Sequence, residues 1–535
     1  MAISKTLGSW LIEALEAHGV RHVFGIPGVH NLELYRGLAA SGIRHVAGRH
    51  EQGLGFMADG YARLSGRVGV CFTITGPGVT NITTAMAQAY GDSIPLLVIS
   101  SENRRGEIGT GRGFLHELPD QLALAKQVAG AASRIDDPAQ LPAVLDRAFA
   151  GATTGRPRPV YVEIPRDVLA ADAADLPAAV APQPPALQSA PAAAVAAAAR
   201  ALAAASKPVI LAGGGARGAA GELRRLAETL GAPVVMTING RGLLPPGHPL
   251  EVSVSPSLAP VRALIAAADA VLAVGTEIGP TDYDAYAVSD FPPPANLIRI
   301  DVDAEQLVRN ARPALGLLGD AAATLRALLA HDFGAPRPER GAAAAAAART
   351  AGLAGLVPAM RREIAFLDAI RDALPGAILV GDSTQPVYAG NLGYAAATPG
   401  SWFNSATGYG TLGYALPAST GAGLAAPDRP VVCLVGDGGV QFSLGELAVP
   451  RDVGAWSAIV VWNNRGYGEI KTSMLAVGIK PEGVDVRPPE FADLARAYGY
   501  AYRLVDGIPA LERALAEFGA RRQVMVIEVR AEVFE

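Results

Sequence analysis

Short apolar runs alternate with helical patterns along the whole chain. Runs of about 4–8 apolar residues separated by helices are typical of parallel strands that are buried on both faces. Twelve such runs are, in chain order, RHVFGI, RVGVCFTI, IPLLVISS, RPVYVEIP, KPVILAGG, APVVMTI, AVLAVG, NLIRIDVD, AILVGD, PVVCLVG, SAIVVWNN and VMVIEV. The pattern predicts an α/β protein built on parallel sheets.

Two segments of low complexity divide these runs into three groups. Residues Ala179–Ser206 are rich in Ala and Pro, and residues Gly334–Thr350 contain a run of seven alanines. Both are expected to be linkers that run into or out of a helix. The chain of 535 residues is too long for one core. We therefore expect three doubly wound parallel-sheet domains, at residues 1–178, 190–335 and 355–535.

Composition and charge narrow the class of protein. The chain carries 45 basic and 50 acidic residues, a net charge of −5, without a basic stripe, so nucleic acid is not an expected partner. Cys71 and Cys433 lie in apolar runs and are expected to be reduced core residues. The amino terminus does not have the pattern of a signal peptide, and the alanine-rich tract Pro191–Ala205 is a poor membrane span. We expect a cytoplasmic protein without a membrane partner.

A glycine-rich turn and a pair of asparagines follow two strand-like runs near the carboxyl end. The run Pro430–Val435 leads into GDGG (436–439), and the run Ser457–Trp462 leads into NN. Asp437 and Asn464 are 27 residues apart, the length of one strand–helix–strand crossover. Neighbouring parallel strands would bring both side chains to one sheet edge, where oxygen ligands can bind a hard cation. Taken alone, the glycine-rich motif is more often an ordinary turn, and the paired asparagines are more often an ordinary strand end.

Together, the two pieces resemble the GDG…NN signature of thiamine-diphosphate enzymes. The resemblance implies that Asp437, Asn464 and the carbonyl of Gly466 hold Mg²⁺ against the diphosphate of the cofactor. It extends over all three segments and implies, in chain order, a pyrimidine-binding, a middle and a diphosphate-binding domain. The most similar branch comprises acetolactate synthase large subunits and the decarboxylases related to them.

Glu51 resembles the catalytic glutamate of that family. It lies in RHEQG (49–53), and FMADGYAR (56–63) extends the match. In the family, this carboxylate hydrogen-bonds N1′ of the aminopyrimidine and so promotes loss of the proton from thiazolium C2. A lone glutamate before a glycine is more often a solvated helix start. The longer match and the distant metal motif favour the catalytic role.

Two more segments match the family in order, TGPG (75–78) and GYGTLGYALP (408–417). In the family, the carbonyl at Gly410 accepts from the 4′-amino group, and the side chain at Leu412 holds the cofactor bent. The resemblance gives these cofactor-binding candidates: Thr75, Pro77, Asn81, Gln385, Gly410, Leu412, Gly436, Gly438 and Gly439.

The middle segment carries GGGARG (213–218), a literal GxGxxG motif after a strand-like run. About 20 positions on stands PVVM (233–236), without the acid that would bind a ribose hydroxyl, so we expect a strand–helix turn and not a dehydrogenase site. Acetolactate synthases bind FAD in this domain, partly through a GARFDDR-like segment. The matching GTEIGPTDYD (275–284) lacks the arginines, which counts against FAD and leaves its binding open.

The resemblance also implies an oligomer. In the family, the pyrimidine-binding domain of one chain faces the diphosphate-binding domain of another. Glu51 and Asp437 of one site would then come from different subunits. The expected assembly is a homodimer or a homotetramer with shared sites, and the sequence leaves the choice open.

Two positions near the paired asparagines depart from acetolactate synthase. Glu469 and Ser473 stand where its pattern has a Met and a Trp, and at i,i+4 they share one helix face. With Asp382 and Glu277, Glu469 would suit a substrate with a cationic tail, because a carboxylate binds a guanidinium bidentately. The alternative for Glu469 is an acid that stabilises a helix N-terminus. GDSTQPVYAGN (381–391), GTEIGPTDYD and NNRGYGEIK resemble 5-guanidino-2-oxopentanoate (2-ketoarginine) decarboxylases.

His116 occupies the place of a glutamine that lines the acetolactate synthase site. An imidazole can return a proton to the product after CO₂ is lost, although a lone histidine is more often structural; His30 is a second candidate. The favoured function is non-oxidative decarboxylation of a 2-oxo acid to an aldehyde. Acetolactate synthase, which joins two 2-oxo acids, is the alternative. A non-catalytic homologue should lack Glu51, Asp437 or Asn464, and all three are present.

Overall fold

The computed structural model describes residues 5–183, 186–282, 294 and 296–534. These residues form three six-stranded sheets, and every pair of neighbouring strands within a sheet is parallel. Helices alternate with the strands. The predicted α/β class with three doubly wound sheets is confirmed.

Each sheet is built from consecutive strands. The first, in the order 2-1-3-4-6-5, contains β1 (His22–Gly25), β2 (Arg44–Val46), β3 (Gly69–Thr73), β4 (Leu96–Glu102), β5 (Ala131–Arg134) and β6 (Val160–Pro165). The middle, in the order 12-11-10-7-8-9, contains β7 (Pro208–Ala212), β8 (Val234–Met236), β9 (Glu251–Val252), β10 (Ala270–Val274), β11 (Leu297–Asp301) and β12 (Leu315–Leu318). The third, in the order 14-13-15-16-18-17, contains β13 (Ile378–Gly381), β14 (Trp402–Asn404), β15 (Val431–Gly436), β16 (Ala458–Asn463), β17 (Ala501–Val505) and β18 (Met525–Arg530).

Helices connect these strands. The α-helices are Leu7–Ala17, Leu32–Tyr35, Glu51–Ser65, Pro77–Asp92, Gln121–Lys126, Leu141–Thr154, Arg166–Leu169, Ala192–Ala204, Ala220–Leu230, Ala259–Ala266, Ala321–Leu329, Glu339–Ala354, Pro358–Ala373, Gln385–Gly393, Ala415–Ala425, Val449–Val453, Gly468–Ala476, Phe491–Tyr498 and Ile508–Arg521. The 3-10 helices are Leu38–Ala40, Pro138–Gln140, Gly214–Ala219, Ile238–Gly240, Gly439–Ala448 and Ala531–Val533. Both predicted linkers contain a helix, Ala192–Ala204 and Glu339–Ala354. Among the described residues, no single helix is long and apolar enough to cross a membrane, whereas the bent pair Glu339–Ala354 and Pro358–Ala373 meets that criterion of length and composition jointly.

Burial on both faces explains why the strands are uniformly apolar. Successive residues of a strand point to opposite faces of the sheet. In β7, Ile210 packs into one hydrophobic cluster, and Val209 and Leu211 pack into another. Both faces are therefore covered, as expected for a parallel sheet.

The strand order determines where ligands can bind. In the third sheet the chain continues on opposite sides of the β13–β15 pair, so the loops after these two strands lie at a topological switch point. The first sheet has the same order, with its switch point between β1 and β3. The middle sheet instead has the 3-2-1-4-5-6 order that is usual for dinucleotide-binding folds.

The chain forms two compact units. One comprises Met1–Pro185, Thr411–Asp428 and Val440–Ser457, and thus contains the first sheet with two segments from the last third of the chain. The other comprises Ala186–Gly410, Arg429–Gly439 and Ala458–Glu535, and contains the middle and third sheets. Each sheet lies inside one predicted domain, 1–178, 190–335 or 355–535, whose boundaries stay a prediction.

Candidate active site

Asp437 and Asn464 lie side by side at the carboxyl edge of the third sheet. The strands that precede them, β15 and β16, are parallel neighbours with Gly436 opposite Trp462. The backbone N–H of Asn464 donates to Asp437 Oδ1 over 3.3 Å. Burial raises the pKa of Asp437 to about 6, although N–H groups that include those of Asn464 and Gly466 act to lower it. The predicted pair is thus brought together, with Asp437 buried and Asn464 half-buried.

The side-chain amide of Asn464 lies between Asp437 and Gly466. One terminal atom of the amide is 3.1 Å from Asp437 Oδ1 and 2.7 Å from the carbonyl oxygen of Gly466, and the other is 3.1 Å from Gln385 Oε1. With its nitrogen towards Asp437 and Gly466, the amide donates to both oxygens. With its oxygen there, it donates to Gln385 and three oxygens converge. Ligands of an octahedral Mg²⁺ at 2.0–2.1 Å are about 3 Å apart, so this second arrangement fits a hard cation.

The backbone after β16 turns the carbonyl of Gly466 into this cluster. Gly466 has φ +144°, and a Cβ there would lie 2.3 Å from the carbonyl oxygen of Val484. The N–H of Tyr467 donates to that same oxygen over 2.9 Å. Only glycine fits this close approach. The geometry of the turn therefore requires a glycine at position 466.

The loop after β13 supports the cluster at the switch point. Gln385 begins the helix Gln385–Gly393, and its Oε1 accepts from Trp462 Nε1 over 3.0 Å. Asp382 is completely buried, its Oδ1 accepts from the N–H of Ser383, and a Cβ on Gly439 would lie 3.6 Å from its Oδ2. Asp382 thus lies beneath the glycine turn, although the sequence grouped it with the substrate candidates.

Glu469 and Ser473 lie on the helix Gly468–Ala476, as predicted, and both are exposed. This helix begins next to the oxygen cluster, because a Cβ on Gly468 would lie 2.5 Å from Asn464 Nδ2. Glu469 is also the acid of the first helical turn. Its position therefore suits both a ligand contact beside the cluster and the stabilisation of a helix N-terminus.

Glu51 is the first residue of the helix Glu51–Ser65, here called the Glu51 helix. His50 caps it, with Nδ1 accepting from the N–H of Gln52 over 3.1 Å. Glu51 is only 9% exposed, and its Oε2 accepts from Asn81 Nδ2 over 2.9 Å. Asn81 is on the helix Pro77–Asp92, which follows β3. The structure thus brings together two predicted residues that are 30 positions apart.

The turn between β3 and that helix is held by buried polar groups. The N–H and hydroxyl of Thr75 lie 3.1 and 3.0 Å from Ser101 Oγ, and the N–H of Gly76 donates to Gln121 Oε1 over 2.8 Å. Thr75 is completely buried, whereas Pro77 is exposed at the helix start. Gln121 was missed from the sequence because a single glutamine at the start of a short helix carries no recognisable signal.

His116 lies against this turn and beside His30. Its backbone has φ +64°, which is uncommon for a residue other than glycine. The two imidazole centroids are 5.1 Å apart at an interplanar angle of 82°. Burial, followed by the charges of Arg166 and His116, lowers the pKa of His30 and so favours the neutral form of its ring. The two histidine candidates therefore form a pair.

The segment that carries Leu412 is anchored by a buried polar network. Thr411 hydrogen-bonds Gln88 Oε1 through its N–H (3.3 Å) and its hydroxyl (2.9 Å). The hydroxyl of Tyr414 donates to Asp59 Oδ1, a carboxylate that also pairs with Arg63 at 2.6 Å. Leu412, between these anchors, is half-buried. Gly410, in the other unit, is exposed with φ +76°.

The glycine-rich turn of the middle sheet uses its own amides. The N–H groups of Gly213 and Gly215 donate to the carbonyls of Val274 and Gly275, both over 3.0 Å. A Cβ on Gly215 would lie 2.9 Å from Gly275 Cα. The glycines thus allow two loops to come into contact, and these two amides are bonded to backbone carbonyls within a turn between a strand and a helix. Tyr283 and Asp284 of the GTEIGPTDYD segment lie outside the described residues.

Comparison with known proteins finds one family across the chain. The thiamine pyrophosphate enzyme N-terminal TPP binding domain matches residues 5–124, its central domain matches residues 195–328, and its C-terminal TPP binding domain matches residues 382–529. A probable 2-ketoarginine decarboxylase AruI of Pseudomonas aeruginosa is 47% identical over 98% of this chain and 94% of its own length. Acetolactate synthase of Arthrospira platensis is 31% identical over 99% and 95%, and acetolactate synthase isozyme 1 large subunit of Escherichia coli is 31% identical over 86% and 82%.

Proposed function

The chain belongs to the thiamine pyrophosphate enzymes, and from this premise we propose that it decarboxylates 5-guanidino-2-oxopentanoate without oxidation. The 2-oxo acid loses its carboxylate as CO₂, and a proton takes its place to give the aldehyde. The observation that carries this proposal is the 47% identity, over nearly the whole chain, to a probable 2-ketoarginine decarboxylase, against 31% to the acetolactate synthases.

We assign the residues described above the following roles in this reaction. Bound thiamine diphosphate supplies the electron sink for the bond that breaks when CO₂ leaves. Asp437, Asn464 and the carbonyl of Gly466 would hold Mg²⁺ against its diphosphate. Glu51, fixed by Asn81, would hold a proton at its Oε atoms against the aminopyrimidine. The proximity of the Asp437 carboxylate, the Asn464 amide and the Gly466 carbonyl, and the burial of the Glu51 carboxylate, support these roles.

The substrate side of the proposal rests on Glu469 and His116. An exposed carboxylate on a helix that begins at the oxygen cluster can bind a guanidinium by two hydrogen bonds. Ser473, one turn further, leaves room for the tail. The imidazole of His116 would return the proton to the carbon that lost CO₂.

We also propose a homodimer or homotetramer with sites shared between chains. Large apolar side chains are more than half exposed near both groups of site residues: Val29, Leu32 and Leu115 in one unit, and Ile470, Leu475 and Val477 in the other. A second chain that covered these positions would bury such side chains, and this supports the proposal.

A panel of 2-oxo acids tests the reaction, with CO₂, aldehyde and acetolactate measured separately. The proposal predicts CO₂ and aldehyde in equal amounts from 5-guanidino-2-oxopentanoate, and a lower kcat/KM for pyruvate and for 2-oxopentanoate, a matched control without the guanidinium. A preference for pyruvate with release of acetolactate would replace the proposal by acetolactate synthase.

A further inference from the structure

Glu446 is a buried carboxylate at the start of the Glu51 helix. It is 1% exposed, and its Oε1 accepts from the backbone N–H groups of Arg49 (3.0 Å) and His50 (2.9 Å). Its Oε2 is 3.3 Å from the N–H of Arg49. These are the two amides that directly precede Glu51, so one side chain holds the chain as it enters the helix.

A missing side chain makes room for this carboxylate. A Cβ on Gly53 would lie 2.4 Å from Glu446 Oε1, and a Cβ on Gly48 would lie 3.6 Å from its Oε2. Gly53 is inside the first turn of the Glu51 helix, where glycine is less favourable than alanine. The glycine thus weakens the helix locally and admits the carboxylate.

We propose that Glu446 is a positioning residue for Glu51: by holding the amides of Arg49 and His50 it fixes the first turn of the Glu51 helix, and with it the direction of the Glu51 carboxylate towards Asn81. The inference rests on the proposed function. Burial is the main cause that raises the pKa of Glu446 to about 7, and the charge of Glu51 makes a smaller contribution in the same direction, so the two carboxylates are within electrostatic reach.

Three variants and a control separate positioning from general stability. Glu446→Ala removes the acceptor, and Glu446→Gln keeps an acceptor oxygen without the charge. Gly53→Ala leaves Glu446 in the chain but displaces its flexible end from the first turn. Asp452→Ala is the control, because Asp452 pairs with the exposed side chain of Arg49 at 2.5 Å, an ion pair of small energy.

Two measurements decide the outcome. In the cofactor-free protein, hydrogen–deuterium exchange of peptides that cover residues 46–54 should be faster in Glu446→Ala and Gly53→Ala than in wild type or Asp452→Ala. With thiamine diphosphate and Mg²⁺ added, H/D exchange at C2 of the cofactor should slow by ~10- to 100-fold in the same two variants, with little change in the calorimetric affinity for the cofactor. Glu446→Gln should behave nearly like wild type in both measurements, because it keeps an acceptor oxygen.

Wild-type amide and C2 exchange in both Glu446→Ala and Gly53→Ala would overturn the inference. So would a Glu446→Gln variant that is as slow at C2 as Glu446→Ala, since an acceptor oxygen would then not suffice. A wild-type protein that fails to accelerate C2 exchange over the free cofactor would instead contradict the proposed function, and the amide exchange of the cofactor-free protein would still decide the role of Glu446.

Discussion

The first and third sheets have the same strand order but carry different chemistry on equivalent loops. In both, the third strand of the sheet leads into a glycine turn: Thr75–Pro77 after β3, and Asp437–Gly439 after β15. The first turn leads to the helix whose Asn81 bonds the Glu51 carboxylate. The second places Asp437 beside the side-chain amide of Asn464 and the carbonyl of Gly466. One topology therefore supports two different kinds of polar site.

The two sheets differ in the polar groups that they carry at their carboxyl edges. The third sheet presents oxygen atoms that can ligate a cation, whereas the first presents one carboxylate at the start of a helix and two imidazoles. The fold specifies only that loops after neighbouring parallel strands meet. A few loop residues determine whether this edge of the sheet is suited to binding a cation and phosphate or to proton transfer.

Glu51→Gln should have the largest effect, and only on the proton chemistry of the first sheet. An amide cannot take up and release the proton that the carboxylate handles, so we expect H/D exchange at cofactor C2 to fall by ~10²- to 10⁴-fold. Cofactor affinity should change little, because the oxygen cluster is untouched. NMR measures the exchange, and a wild-type rate would remove Glu51 from its role.

Asp437→Ala should impair cofactor binding at the third sheet, whereas Glu51→Gln should impair proton transfer. Loss of a carboxylate ligand should weaken Mg²⁺-dependent binding of thiamine diphosphate by more than ~10-fold, since removal of an outer-shell partner alone can cost that much. Calorimetric titration is the measurement. Asp428→Ala, an exposed aspartate in the turn before β15, is the control and should bind normally. Unchanged affinity in Asp437→Ala would mean that GDGG is only a turn.

Glu469→Gln should affect one substrate and spare another. One charge-assisted pair contributes ~1.5–3 kcal/mol, so kcat/KM for 5-guanidino-2-oxopentanoate should fall by ~10- to 100-fold while pyruvate turnover stays the same or improves. Glu482→Gln, an exposed acid in the same unit, controls for general charge. Equal losses on both substrates would make Glu469 a structural or catalytic group and not a receptor for the cationic tail.

One prediction concerns how the stability of the cofactor-free protein depends on pH, and it leaves the reaction itself untouched. Because burial raises the pKa of Glu446 to about 7, the folded state binds more protons than the unfolded state between pH ~4.5 and 7. The free energy of unfolding should therefore fall as pH rises through that window, by up to ~3 kcal/mol from this group. In denaturant unfolding experiments, the free energy of unfolding of Glu446→Gln should fall less over this pH window than that of wild type. Burial also raises the pKa of Glu102 to about 7, so Glu102→Gln serves as a comparison.

The apolar pattern of the sequence predicted the central strands of each sheet but did not predict the strands at its two edges. All twelve apolar runs lie in strands, and the six further strands (β2, β5, β9, β12, β14 and β17) occupy the two edges of the three sheets. Four of them are partly exposed, and β9 and β14 have only two and three residues. An edge strand needs fewer apolar residues, so periodicity does not mark it.

The site could be predicted where its residues follow strands closely, and not where they meet across the chain. Asp437 and Asn464 directly follow two central strands, one residue later than the predicted ends, so their proximity was accessible from spacing. Glu446 reaches Arg49 across 397 positions. No local pattern encodes such a contact, because it depends on how two distant segments pack.

Mixing two inactive variants tests most directly the claim that the two sheets contribute complementary halves of a site shared between chains. Glu51→Gln and Asp437→Ala proteins, each inactive alone, are combined under conditions that exchange subunits, and the decarboxylation rate is measured. A dimer with shared sites predicts recovery of about a quarter of wild-type activity, because half of the dimers are mixed and each has one intact site. No recovery, with exchange of subunits verified by mass spectrometry, would contradict the account.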